Sequence, residues 1–522
     1  MAEPAGVMPV GRGDSSAGPP RRALGQRLLD GVERVGNALP HPATLFVVLS
    51  AAVVLLSWML GTLGVQVMHP LTGDAVPVVN LLSGAGLRRL ALQVVSNFMG
   101  FAPLGPVLVS LLGLSVAERS GLLGAVVRAI VGATPPSVLT LVIVFCGAIS
   151  HTVGDVGYVL LVPLGAALFH SMGRHPLGGL AAAFYGVSGG FAANILLSPT
   201  DVVLAGLTQE AARLIDPAYV VTPMANYYFL AASVVFITIS GAIVTERVVL
   251  PRLGRYDGAV QPATPEPLSA TERRAMTWAL VSIAVMIALV AWGLIPPDGL
   301  LRDPEQPALV DSVLVRGLVF FLFVGGLVPG VVYGRLAGTI RTDRDLYRGM
   351  QENVELLAGY LVVIFFIAQF VNLFAWSNLG VVVAVQGATA LKALQLGPVP
   401  LLLALVLITA ILDLVLGSAA AKWAMLGPVL VPMLMLLGST PELTQAAYRV
   451  GDSIANIITP LVSNFPLVLM FAQRYQPKAG IGTITAMMLP YSIVNLLVWP
   501  LLLVAWMLAG WPLGPGAGIG AP

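Results

Sequence analysis

The sequence has little charge and a single cysteine. Only 10% of its 522 residues are charged, against about 25% in an average soluble domain. So few charges cannot cover the surface of a water-soluble globule, and the mean hydropathy of +0.90 also excludes a disordered chain or a coiled coil. The net charge of +2 provides no basic surface for nucleic acid. The lone Cys146 allows neither an intrachain disulfide nor a cysteine-based metal site.

Long apolar runs predict an all-α polytopic membrane protein, since about 20 apolar residues cross the hydrocarbon layer. Residues 28–510 form the predicted transmembrane transporter domain. Residues 1–27 lack the apolar core of a signal peptide and are interpreted as a disordered cytoplasmic tail, and residues 511–522 as a C-terminal tail. The candidate spans are 43–63, 98–116, 137–150, 156–172, 225–250, 275–295, 314–333, 354–375, 398–415, 422–437 and 483–508.

Arginine-rich loops set the expected orientation. Five arginines flank the predicted linker at 252–274 between two halves of the chain, and four more crowd the loop at 335–348. Cytoplasmic loops carry the excess of Lys and Arg. We therefore expect these loops and the N-terminus to be cytoplasmic. The sequence has no Walker A motif, which argues against an ATP-driven pump.

Two segments, near 177–207 and 441–472, resemble one another. Each runs from an apolar stretch and a proline through small residues to Ala-Asn, a polar-Pro pair and another apolar stretch. Paired Gly/Pro-interrupted segments are typical of transporter binding sites, where freed backbone groups line a cavity. The pairing predicts two re-entrant helical hairpins in inverted repeats. The alternative is that proline and glycine only kink ordinary spanning helices.

Ionisable residues cluster in or beside these two segments. Each costs roughly 2.5–3.5 kcal/mol to insert into a membrane, so each is a site hypothesis. The cluster consists of His151, Asp155, Asp201, Asp413, Lys422, Arg449 and Asp452.

Three of these residues have more than one interpretation. Asp201 either caps the helix that follows it or belongs to a substrate or ion site. Arg449 either grips a substrate carboxylate or pairs with Asp452 three residues later. Asp413 binds Na⁺, pairs with Lys422 or carries a proton.

The remaining candidates are amides, an aromatic ring and a histidine. Asn194 and Asn456, together with Asp452, are candidate sodium ligands, although a lone Asn more often caps a backbone. Trp423 either stacks on an aromatic substrate or anchors a helix at the membrane interface. His151 and Asp155 have either a structural or a proton-relay role.

Motifs over almost the whole chain resemble those of the p-aminobenzoyl-glutamate transporter (AbgT) family. They are LLDGVERVGNALPHP at 28–42, VAERSG at 116–121, GRHP at 173–176, AAN at 192–194, TDVVLAG at 200–206, GSAAAKWA at 417–424, QAAYRVGDS at 445–453 and MMLPY at 487–491. The resemblance implies a bowl-shaped homodimer in the bacterial inner membrane. Each protomer would have about nine transmembrane helices and two hairpins, arranged as a scaffold part and a transport part.

The resemblance also implies site residues. Functional positions of the family fall on Asp201, Trp423, Pro441 and Arg449. A further position, usually Asn in the family, falls on Asp413 and adds a negative charge to the site.

The expected function is ion-coupled secondary transport of p-aminobenzoyl-glutamate or p-aminobenzoate-type anions, with export of sulfonamide antimetabolites as a further activity. The expected partners are an anionic aromatic substrate, membrane lipid and a second copy of the chain. No cofactor is expected apart from bound Na⁺. A sodium-coupled dicarboxylate transporter of similar two-hairpin architecture is the alternative. We do not expect an enzyme, since Arg449 stands where an aspartyl intramembrane protease motif requires Gly.

Overall fold

The computed structural model describes residues 40–69, 72–150, 157–261, 267–296, 298–303, 305 and 312–520. Two short strands, β1 Gln66–Met68 and β2 Ala75–Pro77, pair antiparallel, and three π-helical turns cover Gly157–Leu161, Tyr185–Gly189 and Thr245–Val249. The helices are α1 Pro42–Thr62, α2 Gly84–Met99, α3 Leu104–Ser120, α4 Leu122–Gly132, α5 Leu139–Ile149, α6 Val162–Ser171, α7 Pro176–Phe184, α8 Pro199–Ala212, α9 Tyr227–Val244, α10 Leu250–Leu253, α11 Ala270–Leu294, α12 Val313–Arg316, α13 Leu318–Ala337, α14 Asp343–Trp376, α15 Leu379–Ala393, α16 Pro398–Asp413, α17 Ala419–Met435, α18 Pro441–Ala455, α19 Phe465–Tyr475 and α20 Ile481–Leu508.

The prediction of a helical, multi-pass membrane protein is confirmed. Within the described ranges, seven helical segments are long and apolar enough to cross a membrane, and the number is eight when α15 and α16, bent by 120°, are counted as one span. The predicted tail at 1–27, His151 and Asp155 lie outside the described residues.

Both repeat segments are helices interrupted by a break that carries an asparagine. In the first, α7 and its π-helical turn end at Gly189, and α8 begins only at Pro199. In the second, α18 ends at Ala455 and α19 begins at Phe465. Proline at the first turn starts α7, α8, α18 and α19, where its missing N–H has no partner to lose. These interruptions are longer than a proline kink within one continuous helix.

The two breaks meet inside the molecule. The hydroxyl of Ser188 donates to the carbonyl oxygen of Asn456 at 3.2 Å. The backbone N–H of Ala192 donates to the hydroxyl of Ser453 at 3.1 Å. Freed backbone groups at this depth therefore find partners in the opposite segment, as a water-poor interior requires.

Candidate functional site

Asp201 and Arg449 form a buried ion pair between the two repeat segments. Asp201 lies in the first turn of α8, and its Oδ1 accepts from Nη1 of Arg449, which lies on α18, at 2.5 Å. Its Oδ2 accepts from the backbone N–H of Ser198 at 2.6 Å and from Nδ2 of Asn194 at 2.8 Å. Asp201 is therefore both a helix cap and a partner of Arg449, so the two interpretations of this residue are compatible.

One edge of the Arg449 guanidinium has no partner. Its Nε and Nη2 are buried and make no hydrogen bond to the described residues. These two nitrogens form one side of the planar group, and such an edge matches the two oxygens of a carboxylate. A buried donor without a partner is costly, so this edge is suited to a bound anion.

Two aromatic rings and a chain of polar groups connect α8, α17 and α18. Trp423 is fully buried and stacks on Tyr448 with ring centroids 4.4 Å apart, so it is not an interfacial anchor. Its Nε1–H donates to the Thr208 hydroxyl at 2.8 Å, and that hydroxyl lies 2.6 Å from Oε1 of Gln445. The polar chain fixes the ring orientation and joins α8, α17 and α18.

Lys422 bridges two buried carboxylates. Its Nζ donates to Oδ1 of Asp413 and, at 2.6 Å, to Oδ1 of Asp452. Asp452 is therefore paired with Lys422 and not with Arg449, which contradicts the local helix pair considered from the sequence. Of the three interpretations of Asp413, the structure shows the pair with Lys422.

The two asparagine side chains act as donors to the buried carboxylates. Asn194 donates to Asp201 as described above, and Nδ2 of Asn456 lies 3.5 Å from Oδ2 of Asp452. Neither amide caps a helix backbone through the hydrogen bonds described. Within the described residues, no group of three or more His, Cys, Asp or Glu side chains could hold a metal ion.

Pro441 is apart from the other candidates. It is the buried first residue of α18 and follows Thr440, whose hydroxyl accepts from the N–H of Leu443. Arg449 lies eight positions later, which is about 12 Å along a helix. Pro441 fixes where α18 begins and does not lie at the ion pair.

The sequence reading did not single out Thr208, Gln445 and Tyr448 as individual site residues. For Gln445 and Tyr448, which lie on α18, helical spacing was the signal that could have identified them. Gln445, Tyr448 and Asp452 recur every three or four residues and therefore share one face of the helix.

A small cavity adjoins the breaks. Its volume is about 150 Å³, and its lining includes Phe191 from the first break, Gly417 before α17, and Asn456 and Ser463 from the second break. Asn456 thus connects the cavity to the buried carboxylate of Asp452.

The chain is similar to a known family of transport proteins. The sequence profile described as the AbgT putative transporter family matches residues 27–520. The p-aminobenzoyl-glutamate transport protein of Escherichia coli K12 is 38% identical over 497 residues, covering 95% of this chain and 98% of that protein.

Two solved structures are similar to this chain. The YdaH transporter of Alcanivorax borkumensis has a TM-score of 0.86 and 45% identity, covering 91% of this chain and 100% of that one. MtrF of Neisseria gonorrhoeae, from a class of antimetabolite efflux pumps, has a TM-score of 0.88 and 44% identity, covering 94% of this chain and 100% of that one.

Proposed function

Because the chain belongs to the AbgT transporter family, we propose that it is an ion-coupled secondary transporter of p-aminobenzoyl-glutamate and p-aminobenzoate-type anions. Sulfonamide antimetabolites are further proposed cargo, since MtrF belongs to a class of antimetabolite efflux pumps. The family is one of transporters, which points away from an enzyme. A dicarboxylate transporter is not favoured, because the matches described above are to AbgT-family proteins.

The observation that carries this proposal is the free edge of Arg449. A benzoate or glutamate carboxylate would accept two parallel hydrogen bonds from Nε and Nη2, while Asp201 holds Nη1. Asp201 also neutralises the guanidinium, so the anion would be held by directed hydrogen bonds more than by a large net charge. The stacked Trp423 and Tyr448 rings offer an apolar wall to a flat aromatic ring.

Transport requires this site to open. Asp201 and Trp423 are fully buried and Arg449 is only 3% exposed, so a substrate reaches them only after the helices separate. We propose that the two repeat segments are re-entrant hairpins of inverted topology, within about nine transmembrane helices. They would belong to a transport part that moves against a scaffold part in a homodimer.

The proposed location is the bacterial inner membrane with a cytoplasmic N-terminus. Arginines follow α9, lie in the first turns of α11 and lie at and after the end of α13, and they support this orientation by the positive-inside rule. An ion gradient supplies the energy. Asn194, Asp452 and Asn456 are the proposed ligands if the ion is sodium, and Asp413 is the proposed carrier if it is a proton.

The proposal is tested with purified protein, by calorimetry for substrate binding and in proteoliposomes for flux. Arg449→Lys keeps a positive charge beside Asp201 but removes the free guanidinium edge. We expect p-aminobenzoyl-glutamate affinity to fall by roughly 30-fold, equivalent to about 2 kcal/mol for a lost charge-assisted contact. Binding is measured by calorimetry, with succinate as the comparison ligand.

A matched pair of variants separates folding from transport. Asp201→Asn/Arg449→Gln removes both buried charges, so it should unfold at a higher temperature than Arg449→Gln alone while still lacking flux. Wild-type affinity in Arg449→Lys, or tighter binding of succinate than of p-aminobenzoyl-glutamate, would contradict the proposed function.

A further inference from the structure

A second buried charge cluster joins α16, α17 and α18. It consists of Asp413, Lys422 and Asp452, and we call it the carboxylate–lysine cluster. Lys422 is hydrogen-bonded to both carboxylates, and no side chain of the three is more than 2% exposed. Bulk water therefore does not screen these charges in this conformation.

The cluster is one positive charge short of neutrality. Two carboxylates face one ammonium, and a buried charge without compensation is strongly unfavourable. Oδ2 of Asp413 is buried and has no hydrogen-bond partner among the described residues. One proton on this oxygen makes the cluster neutral.

The surrounding helices add no compensating cation from the part of the chain that the structure describes. α16 packs against α17, α18 and α20. Besides Lys422 and Asp452, the titratable group facing the cluster is the Tyr448 hydroxyl, 3.3 Å from Oδ1 of Asp452. Arg449, also on α18, is paired with Asp201, and α20 contains no Asp, Glu, Lys, Arg or His.

The ammonium of Lys422 stands where two carboxylates would otherwise hold a free cation. Hard cations bind through oxygen ligands, and an entering sodium ion would be repelled by the ammonium already between these oxygens. We propose that Lys422 is a tethered cation that replaces a coupling sodium ion, and that Asp413 carries the coupling proton. This inference rests on the proposed ion-coupled transport.

The chemistry is a reversible protonation. Oδ2 of Asp413 forms an O–H bond with a proton from water on one side of the membrane and releases that proton to water on the other. Asp452 lies one helical turn after Arg449 on α18, so the charge of the cluster acts on the helix that carries the proposed anion site. Proton binding and substrate binding thus share one moving element.

Asp413→Asn gives the decisive transport measurement. The variant keeps the Lys422–Asp452 pair and makes the cluster permanently neutral. In proteoliposomes, we expect exchange of labelled for unlabelled p-aminobenzoate to persist without any gradient. In Asp413→Asn, net flux under a pH gradient should fall to the rate measured without a gradient. In the wild type, a pH gradient should drive net flux and a sodium gradient should not.

Glu442→Gln is the matched control, because Glu442 is another buried carboxylic acid on α18 outside the cluster. It should keep wild-type flux driven by the pH gradient. If Asp413→Asn shows that same flux, or if a sodium gradient drives the wild type, the inference is wrong.

Sodium binding provides a readout that needs no substrate. We expect no saturable binding of radioactive sodium by the purified wild type, and saturable binding by Lys422→Met, which leaves both carboxylates open. Sodium binding by the wild type, or no sodium binding by a folded Lys422→Met protein, would contradict the proposal that Lys422 is a tethered cation. If the wild type exchanges no p-aminobenzoate, the proposed function fails, while this measurement still decides the role of Lys422.

Discussion

Asp201 connects helix capping to ion pairing. Its carboxylate accepts from Ser198 and Asn194 on one oxygen and from Arg449 on the other. The cap orients the side chain, and the orientation places Oδ1 against Nη1 of Arg449. A residue that starts a helix thus also holds the proposed substrate-binding cation in a fixed direction.

The two roles of Asp201 can be separated experimentally. Ser198→Ala removes the capping hydroxyl, which should cost about 1 kcal/mol of stability and leave transport intact. Asp201→Asn leaves Arg449 as an unpaired buried charge, which should cost about 3–5 kcal/mol and abolish flux. Denaturation in detergent and proteoliposome flux measure the two effects. If Ser198→Ala lost as much flux as Asp201→Asn, transport would depend on the helix cap and not on the ion pair with Arg449.

Burial of charge was predictable from the sequence, and the Asp413–Lys422 pair was among the alternatives it offered, whereas the partner of Arg449 was not predictable. Asp201, Asp413, Lys422, Arg449 and Asp452 stood out because charged residues are rare in apolar segments. Sequence spacing suggested a local pair of Arg449 with Asp452, yet the observed partner of Arg449 is 248 positions away. Such pairs depend on how the two repeat segments meet, which helical periodicity does not encode.

The helix breaks could be predicted from their proline, glycine and asparagine residues, and most of the long spans could be predicted from their apolar runs. The first span, predicted at 43–63, is the helix Pro42–Thr62. α15 was not predicted, and neither was α2, whose charged Arg88 and Arg89 interrupt its apolar pattern. The bend between α15 and α16 is a tertiary feature, since only packing fixes its 120° angle.

Close helix crossings depend on glycine at particular positions. α3 and α13 approach so closely that a Cβ built at Gly326 would lie 2.6 Å from the carbonyl carbon of Gly113. Small residues spaced four apart, such as Gly326 and Gly330, allow this contact between membrane helices. The adjacent Gly325 faces open space, with nothing within 4 Å of a built Cβ.

This difference predicts opposite outcomes for two neighbouring substitutions. Gly326→Ala places a methyl group against backbone atoms that cannot rotate away, which should cost about 1–3 kcal/mol of stability. Gly325→Ala should be neutral or slightly stabilising, because alanine favours the helix. Thermal unfolding in detergent compares them directly. If both variants unfold at the same temperature, the crossing is looser than this contact indicates.

The two largest apolar cores among the described residues lie in different sets of helices. One is built mainly from α5, α6, α7, α9, α16, α18, α19 and α20, and the other from α1, α3, α8, α14, α15 and α17. The Asp201–Arg449 pair and the Thr208–Gln445 contact join α8 in the second core to α18 in the first. The proposed site therefore lies at a boundary where relative movement would open it.

The contact between α3 and α8, which both belong to the second core, tests a different movement, that of a helix from the first repeat segment against its neighbour. A Cβ built at Gly206 lies 2.8 Å from Cγ of Pro103, so Pro103→Cys/Gly206→Cys should form a disulfide under oxidant. Cys146→Ala removes the only native cysteine. If α8 moves against α3 during transport, oxidation should stop flux and reduction restore it, while each single-cysteine variant keeps its flux. Undiminished flux through fully cross-linked protein would instead show that α3 and α8 move as one body.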